Sequence, residues 1–158
     1  MAFTVRVASA TDAETIAAFN AALAVESEGK TLDSTVLARG VLRALGSPDT
    51  CRYYVAEQDG RVIGQTLVTY ELTDWRDGVL WWIQSVYVLP DARRRGVFRS
   101  LYEHVTDAAR RDPHARGLRL YVDDRNARAM ETYRALGMHD AGYRVYEHDW
   151  SGSVRSSG

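Results

Sequence analysis

The stretch that most limits the fold is "VLWWIQSVYVLPDARRRGVFRSLYEHVTDAARR", residues 79–111. Its first part is a long apolar strand run ended by Pro90, which has no N–H to offer a ladder. A basic turn containing Gly96 follows. A helix is expected from about Arg95 to Arg111, because Phe98, Leu101, Tyr102, Val105 and Ala109 recur at helical spacing. Arg110 and Arg111 suit the negative end of that helix. "GLRLYVDD" then reads as another strand. A strand, helix, strand unit this late in the chain implies one α/β sheet of mixed direction.

The remaining segments fill in around that unit. "FTVRVA" reads as a first strand, and "TDAE" at Thr11–Glu14 has the form of a capping box, with Thr11 bonding a helix N–H and Glu14 reaching back. The helix it opens carries Ile16, Phe19 and Leu23 and fades by Glu26. "LDSTVLARGVLRALGSP" gives a second helix, capped near Asp33 or Ser34 and closed by Gly46 and Pro48. "CRYYVAEQ" and "RVIGQTLVTYEL", joined by Asp59 and Gly60, form a hairpin signal with a primed turn. "NARAMETYRALG" is a helix ending at Gly137, "AGYRVYEHDW" a final strand, and residues 151–158 a flexible tail. The expectation is a single α/β domain over residues 1–150, with a mixed central sheet of about six or seven strands and about four helices.

At 158 residues and 46% hydrophobic content the chain can bury a core without disulfides or metal. Its 20 basic and 21 acidic residues argue against a nucleic-acid or membrane footprint. Cys51, the one cysteine, lies in a hydrophobic run and reads as a buried, inert thiol. No stretch approaches the ~20 apolar residues of a membrane span, and the N-terminus has no apolar segment of signal length, so a cytoplasmic protein is expected. No metal site is expected.

A strand, a basic glycine turn and a helix start together aim unpaired backbone N–H groups at an anion. Arg93, Arg94, Arg95 and Arg99 add charge suited to phosphate oxygens. Further on, Asn126, Ala129, Met130, Tyr133 and Gly137 share one helical face, with Tyr133 two turns, roughly 10 Å, beyond Asn126.

On these two segments the chain resembles the GCN5-related N-acetyltransferase (GNAT) family. Arg93, Gly96 and position 98 follow the family's acetyl-CoA signature, except that Phe98 stands where the family has glycine or alanine. Asn126, Ala129, Tyr133, Gly137 and Met138 match its second signature in full, about thirty residues further on. The resemblance implies an acyltransferase that moves an acetyl group from acetyl-CoA to an amine by direct attack. It places the pyrophosphate on the backbone of Arg94, Arg95, Gly96, Val97, Phe98 and Arg99, beside Arg93. It places the oxyanion donor on a bulged strand around Val86, Tyr87 and Val88, which should splay from "LRLYVDD". Tyr133 would be the general acid, protonated below its ordinary pKa of about 10 and facing a thiolate of about 8.5. Asn126 and Ala129 would contact CoA, or Asn126 would cap its helix.

No motif fixes a general base. Glu71 at a strand end is the first candidate and Glu28 the second, ahead of His148, Asp123 or a water chain. Strict alternation puts Trp81, Ile83, Ser85 and Tyr87 on one face and Trp82, Gln84 and Val86 on the other, so one tryptophan belongs to the core. Glu26, Glu28, Glu71 and Asp74, near one another by topology, favour a small-molecule amine acceptor; a peptide amine, or an acyl-CoA sensor without turnover, are the alternatives. Phe98 is expected to turn its ring under the sheet while its N–H faces phosphate. The final strand could pair with or cross to a second copy, giving a homodimer.

Overall fold

Along the second strand the side chains alternate without a solvent face: Tyr53 and Val55 are buried one way, Tyr54 and Ala56 the other. Such a strand needs cover on both sides. Ile16 and Val41, from the first two helices, meet Tyr53 and Val55. Leu101 and Val105, from the third, meet Tyr54 and Ala56. In the computed structural model, which describes residues 2–152, the strands are β1 Thr4–Val7, β2 Cys51–Gln58, β3 Arg61–Thr73, β4 Gly78–Val88 and β5 Ala115–Leu120. They lie side by side in chain order, antiparallel from β1 to β4 and parallel between β4 and β5. The helices are α1 Ala13–Glu28, α2 Ser34–Leu45, α3 Val97–Arg111 and α4 Ala127–Ala135.

Local chemistry accounts for most boundaries. Asp33 caps α2, accepting from the N–H groups of Thr35 and Val36 at 2.9 and 3.0 Å. The β2–β3 turn places both Asp59 and Gly60 at positive φ, as a primed turn requires. Before α1 the capping box is set two residues earlier than expected, at Ser9 and Asp12. Asp12 accepts from the Ser9 N–H at 2.8 Å, whereas Thr11 only meets the Ser9 hydroxyl. The reason is Arg6, whose guanidinium holds the buried Asp12 carboxylate at 2.8 and 3.0 Å and its pKa below the usual range. Cys51 is buried, as expected, and burial pushes its thiol up.

Two expectations are corrected. The sheet has five strands, not six or seven, because residues 139–152 join no ladder. Tyr146 and Trp150 stand 91% and 85% exposed, and an alternating pattern becomes a strand only where a partner edge supplies hydrogen bonds. The face of α3 buried on the sheet is Val97, Leu101, Val105 and Ala109; Phe98 lies about 100° around the helix from Val97 and is only half-buried. Residues 153–158 of the expected tail lie outside the described residues. No helix among the described residues is long and apolar enough to cross a membrane.

The start of α3 is seated by a close approach. A Cβ on Gly64 would lie 2.9 Å from Val97 Cγ1 and 3.3 Å from the Tyr87 carbonyl oxygen. Gly64→Ala is therefore expected to push Val97 and the first turn of α3 off β3, costing about 1–3 kcal/mol. Urea unfolding should show a lower midpoint at unchanged slope.

Candidate active site

The site begins with an irregularity in β4. Gln65 pairs with Tyr87 but Leu67 pairs with Gln84, so β4 carries one extra residue there, and Ser85 sits at φ 50°. Side chains that the sequence reading passed over hold this bulge. Fully buried Gln65 donates from Nε2 to the Ser85 carbonyl (3.1 Å) and to Asn20 Oδ1 (2.9 Å). Buried Thr66 donates to the Gln84 carbonyl at 3.0 Å. Asn20 in turn donates to the Tyr53 hydroxyl. The signal was present as two adjacent polar residues inside an otherwise apolar strand, "VIGQTLV".

The bulge shifts the phase of β4 by one residue. Trp81 and Ile83 pack with the core beneath α3, and Val86 and Val88 join that same side. Tyr87 lies on the opposite side, its ring 5.1 Å from Phe19 of α1. Strict alternation through Ser85 is thus corrected. Trp81 is the core tryptophan, 6% exposed, while Trp82 packs, tilted by 42°, at 4.6 Å from Tyr121.

Past the bulge the sheet opens. The parallel ladder between β4 and β5 ends at Ile83 and Leu120, leaving Gln84–Val88 with no β5 neighbour. The Leu89 N–H donates to Ile63 on β3, so alternation turns the Val88 N–H toward the opening. Around it lies a cavity of about 240 Å³ lined by Val86, Phe98, Asn126, Ala129, Thr132 and Tyr133 among others. Asn126 caps α4, its Oδ1 accepting from the Ala129 N–H at 3.1 Å. Gly137, at φ 95°, closes that helix, with the Met138 N–H returning to the Tyr133 carbonyl. Burial raises the Tyr133 hydroxyl pKa, which keeps it a proton donor at neutral pH.

At the start of α3, Arg94 and Gly96 both take positive φ, and the first helical bond runs from Ser100 N–H to Gly96. The N–H groups of Val97, Phe98 and Arg99 precede that bond and form the positive end of the helix. Most neighbouring arginines have structural partners. Arg93 donates to the Val88 carbonyl (2.9 Å) and Glu26 (2.7 Å), Arg95 to Gln58, and Arg99 to Glu103. Of the four arginines Arg93, Arg94, Arg95 and Arg99, Arg94 alone has no hydrogen-bond or ion-pair partner among the described residues.

The ring of Phe98 points into the groove between α3 and α4, edge-on to Tyr133 at 5.9 Å and 6.2 Å from Tyr102. It is not under the sheet. The acidic residues are not assembled either. Glu26 is tied to Arg93, Glu28 to Lys30 and Glu71 to Arg119. Glu71 pairs with Leu80, six residues along β4 from Val86, or about 20 Å at the usual strand rise.

A notch between parting parallel strands, a helix start offering three amides, and a half-buried phenol on the facing wall can hold an acyl thioester, stabilise an oxyanion and protonate a leaving thiolate. The comparisons agree. The acetyltransferase (GNAT) family profile matches residues 19–138. Thialysine N-epsilon-acetyltransferase of Bos taurus is 33% identical over 121 residues, 70% of each chain. A possible acetyltransferase from Clostridium difficile 630 superposes with a TM-score of 0.88 at 40% identity, over 94% of this chain and 98% of that one. The aminoglycoside N-acetyltransferase AAC(6')-Iy, in complex with CoA, shares the fold, with a TM-score of 0.77 at 17% identity over 94% and 95%. The chain is an acyltransferase, and it belongs to the acetyltransferase (GNAT) family.

Phe98 braces the Tyr133 ring, and an aromatic pair of this kind is worth about 0.5–1.5 kcal/mol. Phe98→Ala is expected to lower kcat about two- to tenfold while leaving the Kd for CoA unchanged or lower, measured by steady-state kinetics and calorimetry.

Proposed function

We propose that the protein transfers the acetyl group of acetyl-CoA to a primary amine of a small molecule, by direct attack through a tetrahedral intermediate. The observation that carries this reading is the opening where β4 leaves β5, with the helix start of α3 at one end and Tyr133 on its wall. The pyrophosphate would sit on the amides of Val97, Phe98 and Arg99, with Arg94 free to reach it. The pantetheine arm would run along the β4 edge from Tyr87 to Val86.

The neutral amine attacks the thioester carbonyl carbon, and the carbonyl oxygen takes up negative charge. The Val88 N–H is the donor aimed at it, fixed in place before reaction. Collapse of the intermediate breaks the carbon–sulfur bond. The Tyr133 hydroxyl gives its proton to the departing CoA thiolate, and the phenolate recovers it from the proton that the amide nitrogen sheds. With Glu71 about 20 Å away along β4 and Glu28 paired to Lys30, the amine arrives neutral or loses its proton through water.

The acceptor side is the α1 face of β4, around Tyr87, Phe19 and the Arg93–Glu26 pair. The name of the Bos taurus relative, an acetyltransferase of the ε-amine of thialysine, favours a free amine on a small flexible molecule.

Tyr133→Phe should lower kcat by about 10²-fold or more with the Kd for CoA little changed. Because burial raises the hydroxyl pKa, the wild-type kcat should hold through neutral pH and fall only above the ordinary tyrosine value of about 10. A thiol-release screen of thialysine, polyamines, amino acids and aminoglycosides against peptides decides the acceptor. Turnover with peptides alone overturns the small-molecule reading, and CoA binding without turnover on any amine makes the protein a sensor.

A further inference from the structure

Helix α1 reaches β4 at three places, and two of them end on β4 carbonyls. Phe19 packs on Tyr87, with 5.1 Å between ring centroids. Near the end of α1, Glu26 accepts from Arg93 at 2.7 Å, and Arg93 donates again to the Val88 carbonyl at 2.9 Å. Between them, Asn20 accepts at 2.9 Å from Gln65 Nε2, which also donates to the Ser85 carbonyl at 3.1 Å. The segment from Ser85 to Val88, which borders the opening, is therefore gripped at both ends from the acceptor side.

The inner grip is specified atom by atom. Asn20 Nδ2 donates to the Tyr53 hydroxyl at 3.0 Å, so Oδ1 is the atom presented to Gln65. Gln65 uses both Nε2 hydrogens, and a flipped amide would set Oε1 against the same two oxygens, acceptor on acceptor. What is left over is Oε1, on a side chain 0% exposed and with no partner among the described residues. An apolar side chain of that size would fill the space without leaving a buried acceptor empty, so packing does not account for glutamine here. Its two donated hydrogens do.

A trans peptide sets its N–H opposite its C=O. Drawing the Ser85 carbonyl toward Gln65 on β3 thus turns the Val86 N–H away from β3, to the side that β5 leaves open. The Val88 N–H faces that side too. Ser85, at φ 50°, is held where a non-glycine backbone does not rest unaided.

We propose that Asn20 and Gln65 are positioning residues for acetyl transfer: through them α1, the helix beside the acceptor, holds the Ser85 peptide so that the Val86 and Val88 amides stay aimed at the thioester oxygen. Neither side chain lines the cavity, so each acts through the backbone. This rests on the function proposed above and extends it, making the acceptor helix and the oxyanion donors one unit.

Infrared difference spectroscopy of acetyl-CoA, isotope-labelled at its carbonyl carbon and bound without acceptor, reads the hydrogen bonds to the thioester oxygen directly. In the wild type the carbonyl stretch should lie at lower wavenumber than in free acetyl-CoA. Gln65→Met, close in length and volume, and Asn20→Leu should each return it toward the free value. Each should lower kcat about 10- to 100-fold with the Kd for CoA within about twofold, because the pyrophosphate amides lie on α3. Combined, the two changes should lower kcat no further than the larger alone. Asn20→Asp keeps Oδ1 for Gln65 while the Tyr53 hydroxyl turns to donate, so it should keep the shift and hold kcat within about threefold. Urea midpoints check folding, and Asn20, only half-buried, serves where Gln65→Met does not fold. A shift present in the wild type and unchanged in Gln65→Met and Asn20→Leu overturns the positioning role, as does a fall in kcat that CoA affinity matches or that Asn20→Asp shares. No shift in the wild type overturns it too, but by removing the oxyanion reading of β4 on which it stands.

Discussion

The bulge at Ser85 is the constraint on which the rest of the site depends. Holding a non-glycine residue at φ 50° costs about 1–2 kcal/mol, and burying the amide of Gln65 with Oε1 unpaired adds more. Two hydrogen bonds, from Gln65 to Ser85 and from Thr66 to Gln84, offset that cost at about 1 kcal/mol each. The bulge persists because the strands around it are buried on both faces and permit no relaxation. What it gains is position. By adding one residue, β4 turns Val86 toward the cavity and Tyr87 toward α1, so one strand presents a side chain to each face.

A second constraint follows from the first. The amides at the start of α3 can serve a phosphate only if that turn is fixed relative to β4, and Gly64 fixes it by letting Val97 close on the sheet. Arg93 pulls in the same sense, joining the last carbonyl of β4 to the end of α1. Arg93 thus ties β4 to α1 as well as carrying charge at the turn. The three amides that open α3 are backbone donors, which need no reorganisation when an anion arrives, and Arg94 beside them has no ion-pair partner among the described residues.

The legible parts were those governed by local chemistry: the primed turn at Asp59 and Gly60, the Asp33 cap, the Asn126 cap and the closing Gly137. The illegible parts turned on a shift of one residue. Helical spacing in α3 fits Phe98 and Val97 almost equally well, and the choice is made by Gly64, far away in sequence. Period-two alternation in β4 carries no mark of the bulge; the mark lies on the neighbouring strand, as Gln65 and Thr66. The sixth strand failed for a different reason, since strand propensity describes a segment and pairing requires an edge. Glu71 and Glu28 each pair with a nearer cation, Arg119 and Lys30, a pairing that sequence spacing does not reveal.

These facts divide the site into two unequal halves. Bulge, Gly64 contact and α3 form a wall joined to the core through Val97, Leu101, Val105 and Ala109, whereas α4 has no buried residue and meets that wall at the Phe98–Tyr133 edge. For the proposed role of Tyr133 as proton donor, something must fix its distance to the sulfur, because transfer efficiency falls steeply with misplacement. Phe98, the residue that breaks the family signature, lies where it can do part of that. Where the family signature has a small residue, the chain puts a ring against the phenol, and the departure from the motif becomes a brace between α3 and α4.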